Sequence, residues 1–112
     1  MHLTIRYKKD RKISEALQER IDRKIELIRK HLENDHPVHL ILEEGKNQDV
    51  AELSFHLHGH DIIAKSAKET LYEAIDEVIE KCSRQMEKAL QKHKHHKGEP
   101  SIRNLEVERF DS

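Results

Sequence analysis

Ala51-Glu52-Leu53-Ser54-Phe55-His56-Leu57-His58-Gly59-His60-Asp61-Ile62-Ile63-Ala64-Lys65-Ser66 is the stretch that decides the fold. Ala51, Leu53, Phe55 and Leu57 alternate with Glu52, Ser54, His56 and His58, the period of a strand with one wet face. His58-Gly59-His60-Asp61 then supplies a tight turn into a further strand over about Ile62 to Ser66. Upstream, Val38, Leu40 and Leu42 alternate ahead of a turn at Glu43 to Gln48 that contains Gly45. Three consecutive strands at such short spacings form an antiparallel meander.

Beyond the meander the apolar period changes from two to that of a helix. Downstream, Ser66-Ala67-Lys68-Glu69 has the spacing of a capping box. Leu71, Ile75, Val78, Ile79, Cys82, Met86 and Ala89 or Leu90 then share one face of a long helix, which Gly98 and Pro100 end. Upstream, Ser14 is placed as an N-cap. Leu17, Ile21, Ile25, Ile28 and Leu32 follow at spacings of four, four, three and four, one buried helical stripe that Asn34-Asp35-His36-Pro37 breaks. His2 to Tyr7 alternates as a first strand, and Lys8 to Lys12 is a polar connection. The reading is an α+β domain over residues 1–97, ordered β-α-β-β-β-α, with both helices on one face of a four-stranded sheet. Residues 98–112 are expected to be an acidic, flexible tail.

Composition agrees with a thin domain. The chain has 112 residues, 35% apolar and 38% charged, enough for a single layer of helices on a single sheet. Its start lacks the apolar run of a secretory signal, and no stretch is apolar for long enough to span a membrane. A single cysteine, Cys82, allows neither an internal disulfide nor a cysteine-built zinc site, which suits a reducing cytoplasm. Cys82 falls within an apolar stripe and reads as a small core residue.

Catalytic and metal chemistry find little support. Ser14, Ser54, Ser66 and Ser83 lie in no nucleophile motif, and there is no glycine-rich phosphate loop. Ten histidines include His56, His58 and His60, and His93-x-His95-His96, but no cysteine or ordered acid completes a four-ligand set around either group. Neither an enzyme nor a cofactor, metal or small-molecule substrate is expected. The histidines could instead add positive charge as pH falls towards 6.

The formal net charge of −1 argues at first against a nucleic-acid partner. The distribution argues otherwise. Residues 1–33 carry a balance of +4, 34–80 of −8, 81–98 of +5 and 99–112 of −2. At about 100° per residue, Lys30, Arg23, Arg20, His31 and Lys24 fall on one flank of the first helix, while Asp22, Glu33, Glu26 and Glu19 fall on the other. Arg84, Lys88, Lys81 and Lys92 share a flank of the second helix. Salt-bridged, solvated helices are the plain alternative. Sorted signs favour a pair of basic ridges able to follow the phosphates of folded RNA, read by shape and backbone. Tyr7, Phe55, Tyr72 and Phe110 are scattered in sequence, which argues against a base-stacking platform.

The segment Ala64 to Lys88, above all Tyr72-x-x-Ile75 through Arg84-Gln85, resembles the last strand and second helix of the ribosome hibernation promoting factors, a bacterial family that includes protein Y. Ile13 to Leu17 and Pro37 to Leu42 are similar to its first helix entrance and second strand, and the likeness spans roughly residues 1–96. It departs at Tyr7 to Lys12, longer and more basic than a bend that often holds glycine, and at Thr70-Leu71. The resemblance implies a fold like a double-stranded RNA-binding domain. It also implies binding to the small ribosomal subunit in the messenger and transfer-RNA channel, which inhibits translation and preserves idle ribosomes. By position it points to Arg20, Arg23, Lys24, Lys30, Lys81, Arg84, Gln85, Lys88 and Lys92 as RNA contacts. A separate ribosome modulation factor, and with it ribosome dimerisation, is a further partner the family suggests. The alternatives are a general structured-RNA binder and a protein-binding modulator of an alternative sigma factor.

Overall fold

The computed structural model describes residues 1–98, with side chains described through Gln91. The predicted order is observed. β1 (His2–Tyr7) leads through a short turn to α1 (Glu15–Lys24) and α2 (Glu26–Arg29); β2 (Pro37–Glu44), β3 (Asp49–Leu57) and β4 (His60–Lys68) follow, and α3 (Leu71–Gly98) comes last. The sheet order is β1-β2-β3-β4, with β1 parallel to β2 and the rest antiparallel. The parallel pair requires the crossover that α1 and α2 provide. The tail, and Pro100 as a helix stop, lie outside the described residues.

One face of the sheet carries the core. Val38, Leu40, Leu42, Ala51, Leu53, Phe55, Ile62 and Ala64 alternate inward and pack against Leu17, Ile21, Ile25, Ile28, Ile75, Val78, Ile79, Cys82 and Met86. Each large side chain removed from water contributes about 1.5–3 kcal/mol, which is how a chain only about one-third apolar holds a fold. The β3–β4 loop is two residues long, Leu57 pairing with His60, and both of its residues have positive φ (His58 50°, Gly59 81°), the requirement of a type I′ hairpin. His58 therefore lies in this turn and not on the strand face with His56. At the β2–β3 turn a Cβ on Gly45 would sit 2.5 Å from the Gln48 carbonyl oxygen, so the turn needs glycine there.

Two further expectations are corrected. The first helix is not continuous: it breaks at Ile25 (ψ −10°), and the turns beyond tighten through Ile28 N–H to Ile25 O and His31 N–H to Ile28 O bonds. The break falls where the apolar spacing shortens from four to three, and it keeps Ile25 and Ile28 both fully buried. Ser66 does not cap a helix. It is a buried residue of β4, which runs on to Lys68, and the cap is Thr70, whose Oγ1 accepts from the Glu73 N–H at 3.2 Å. Ser14 does cap α1, accepting from the Leu17 N–H at 3.1 Å. The turn after β1 holds Lys9 and Asp10 at φ 70° and 50°, left-handed positions that favour glycine. This gives physical content to the departure at Tyr7 to Lys12.

Thr70→Ala should therefore cost about 1 kcal/mol, whereas Ser66→Ala should be neutral or stabilising, because the Ser66 Oγ is buried without a partner among the described residues. Urea melts of the two variants separate the assignments. The Cys82 thiol donates to the Leu53 carbonyl, and burial pushes its pKa up to about 12. Folded protein at pH 8 should resist a thiol-disulfide reagent until denaturant is added. Because the folded state holds the proton longer, stability should fall as pH rises from about 9 towards 12.

Candidate nucleic-acid interface

α1 and α3 lie side by side and run in the same direction. Arg20 Nη1 meets Asp76 Oδ2 at 2.8 Å, and one turn on Lys24 Nζ meets Glu80 Oε2 at 2.8 Å, both pairs separated by 56 residues. A constant offset along both helices is possible only if they are parallel. The Arg20 guanidinium also lies 5.2 Å from the centre of the Tyr72 ring. The hydrogen bond and charge of Lys24, with a smaller contribution from Arg84, hold the Glu80 carboxyl below the usual carboxylate range. Arg20 and Lys24 therefore occupy the seam between the helices, facing the acidic first half of α3.

Lys81 and Gln85 point the other way round α3, onto the free edge of β4. Gln85 Nε2 donates to the Ile63 carbonyl at 2.9 Å, the Ile63 N–H donates to Gln85 Oε1 at 3.3 Å, and Lys81 Nζ donates to the Lys65 carbonyl at 3.2 Å. These bonds cap edge-strand groups that would otherwise be open to another chain. The Arg23 and Lys30 side chains are exposed and make no ion pair or hydrogen bond with another described residue. Arg84 and Lys88 are exposed on the second half of α3, and the Lys92 side chain lies outside the described set.

At about 100° per residue, Arg23 turns away from the sheet beside the seam on α1 and Arg84 does so on α3, while Lys30 lies beyond the break, at the end of α2. The eight predicted positions with described side chains thus divide by setting. Arg20, Lys24, Lys81 and Gln85 brace the fold, and Arg23, Lys30, Arg84 and Lys88 are exposed basic residues on the C-terminal parts of the helical layer. Sequence reasoning missed Asp76, Glu80 and Tyr72 as the partners that hold the seam. The signal was present in the matched four-residue spacing of Arg20 and Lys24 with Asp76 and Glu80.

At the opposite end a cleft of about 500 Å³ is lined by Tyr7, Arg11, Lys12, Ser14 and Tyr72, among others, so both tyrosines of the chain meet in one place despite their separation in sequence. Tyr7 donates its hydroxyl to Glu44 Oε2 at 2.9 Å, and burial together with that carboxylate pushes its pKa up to about 12. Arg11 neutralises the same carboxylate at 2.9 Å, leaving the cleft without a strong charge of either sign.

Residues 3–94 match the family described as Sigma 54 modulation protein / S30EA ribosomal protein. The chain belongs to this family. Within it, the chain is 30% identical over 84 residues to the ribosome hibernation promoting factor of Salmonella typhimurium, covering 75% of this chain and 88% of the relative. The factor of the same name from Azotobacter vinelandii is 28% identical over 80 residues, 71% of this chain and 75% of that one. Among solved structures, a ribosomal subunit interface protein from Coxiella burnetii matches with a TM-score of 0.66 at 21% identity, over 81% of this chain and 99% of that one. The N-terminal domain of Thermus thermophilus protein Y matches with a TM-score of 0.64 at 18% identity, over 76% and 94%. At these identities the structural likeness shows the fold, and the fold is that of S30EA proteins.

If Gln85 protects the sheet edge, Gln85→Leu should cost about 0.5–1.5 kcal/mol, the net worth of an ordinary hydrogen bond, because water can reach the exposed Ile63 groups. It should also speed hydrogen exchange at the Ile63 amide. Unchanged exchange in the folded variant would remove the edge-protecting role.

Proposed function

We propose that this protein is a ribosome hibernation factor, which binds the small ribosomal subunit in the channel used by messenger and transfer RNA and keeps idle ribosomes intact. The observation that carries the reading is the match to hibernation promoting factors across the domain that bears the exposed basic residues. The action is steric and electrostatic, without turnover. Arg23, Lys30, Arg84, Lys88 and Lys92 contact ribosomal RNA phosphates. Arg20 and Lys24 hold the two helices at the spacing that presents them, and Lys81 and Gln85 secure the edge strand beneath. Such a surface follows the shape and backbone of folded RNA, whose major-groove edges are out of reach of side chains. The low net charge of −1 restrains nonspecific attraction, so a local patch favours a site of matching shape. The setting is the cytoplasm, on the ribosome.

Co-sedimentation with ribosomes, isolated small subunits and an unrelated RNA duplex over a salt series tests this. Retention on the small subunit above that on the duplex is the expected result. Equal retention would favour a general structured-RNA binder, and absence from ribosomal fractions a protein-binding role of the kind in the family's older description. Arg23→Glu with Arg84→Glu should weaken binding and lower the salt slope by roughly 0.7–0.9 for each phosphate no longer neutralised. Neither residue takes part in the seam salt bridges, so the double variant should fold. Full affinity in that folded variant would exclude the patch.

A further inference from the structure

The inward positions of the sheet are apolar until its last row. Leu42 and Ala51 are fully buried, but the next inward positions are Glu44 and Asp49, which pair with each other, and Lys68, which pairs with Asp49. Tyr7 ends β1 level with Leu42. Packing alone calls for apolar side chains on the face that carries the helices, not for carboxylates. The helices begin at this row, and Ser14 and Leu17 of α1 with Leu71 and Tyr72 of α3 form the opposite wall of the cleft of about 500 Å³. That volume lies within the range of about 300–1,000 Å³ usual for small-ligand sites.

The groups around the cleft suit a planar ring with a polar edge. Tyr7 is fixed by its bond to Glu44 at 2.9 Å, and Tyr72 by the Arg20 guanidinium 5.2 Å from its ring centre, so both aromatic side chains are held in place. Glu44 is fully engaged, Oε2 with Tyr7 and Oε1 with Arg11. Asp49 is not. Its carboxylate lines the cleft, and its charge, after burial and Glu44, helps raise the Tyr7 pKa, yet it makes no hydrogen bond or ion pair with another described residue. Lys68, its strand neighbour, turns instead to Glu77 at 3.7 Å. Lys12, exposed at the rim, is likewise unpaired among the described residues.

We propose that this cleft takes a guanine nucleotide, its base stacked against Tyr72 with Tyr7 on the sheet side, and its adjacent ring N–H and amino group donating to the Asp49 carboxylate. A carboxylate offers two acceptors and no donor. Guanine presents two neighbouring donors on its Watson–Crick edge, whereas adenine and cytosine set one amino group beside an acceptor nitrogen and uracil sets one N–H between two carbonyls. Unstacked bases are recognised in this way, by an aromatic face and a polar edge. The phosphate leaves over the rim towards Lys12, where the parallel helices also turn their N-terminal, partially positive ends. This site is independent of the ribosome reading and lies at the far end of α3 from Arg84 and Lys88. The nucleotide is free in solution or an unpaired guanosine of RNA, and one experiment separates the two sources.

The test is calorimetric titration of the whole protein with GMP, AMP, CMP and UMP, and with the RNA pentamers UUGUU and UUAUU. The guanine probe should bind about tenfold or more tightly than its counterparts, the discrimination that one bidentate pair supplies. Tighter binding of UUGUU than of GMP identifies RNA as the source, and GMP binding at least equal to that of UUGUU identifies a free nucleotide; both support the site. The chain has two tyrosines and both line this cleft, so the guanine probe should shift both sets of ring signals in an NMR spectrum. Asp49→Asn, shown by circular dichroism to be folded, should abolish the guanine preference, because the amide replaces one acceptor with a donor. Tyr72→Ala should weaken guanine binding by about tenfold. Equal affinity for all the bases, no binding of either guanine probe, binding that leaves the tyrosine signals unmoved, or a folded Asp49→Asn protein that keeps the preference each overturns the site and leaves the ribosome reading standing. Should Asp49→Asn not fold, the wild-type preference and the tyrosine shifts still decide.

Discussion

Two parallel helices share one apolar sheet face, and everything else in the molecule is arranged around that shared layer. Ile21, Ile25 and Ile28 reach it from one side, and Ile75, Val78, Ile79, Cys82 and Met86 from the other, all without solvent exposure. The parallel direction follows from the order of the chain. β1 and β2 are parallel and need α1 and α2 as a crossover, while α3 follows β4 and runs back along it. A core so thin tolerates little erosion: truncating one of these isoleucines to alanine removes about 2–5 kcal/mol, a large part of the margin of an ordinary domain.

Once the helices lie side by side, their charges are constrained. The flank of α1 that bears Arg20 and Lys24 must face α3, and it meets Asp76 and Glu80 there. These pairs are half-exposed, so each adds little to stability, but they set the register of one helix on the other. The remaining cations, Arg23, Lys30, Arg84 and Lys88, are displaced towards the C-terminal halves, where α3 has left its acidic first turns behind. One segregation of charge thus serves both the seam and the surface beside it.

The elements of the fold were legible because each is specified by local period. Alternation over Val38 to Leu42 and Ala51 to Leu57 can satisfy only a strand, and the spacing from Leu71 to Met86 only a helix. The errors share a cause. Ser66-x-x-Glu69 and Thr70-x-x-Glu73 are equally good caps by spacing. Pairing of Val50, Ala51 and Asp49 with Ala67, Ser66 and Lys68 keeps β4 extended and gives the cap to Thr70. The break at Ile25 is likewise a tertiary compromise that a helical wheel does not contain.

By itself the sequence determined the order of elements, the inward faces and the family, since all three are written in spacing and residue type within short windows. It also showed that the positive charge is concentrated in the first helix and the last. The tertiary structure decided which of those cations face a carboxylate, a strand edge or solvent, and it brought two tyrosines distant in sequence to one cleft. Both outcomes depend on contacts between elements tens of residues apart, where strand register and helix direction set what meets what.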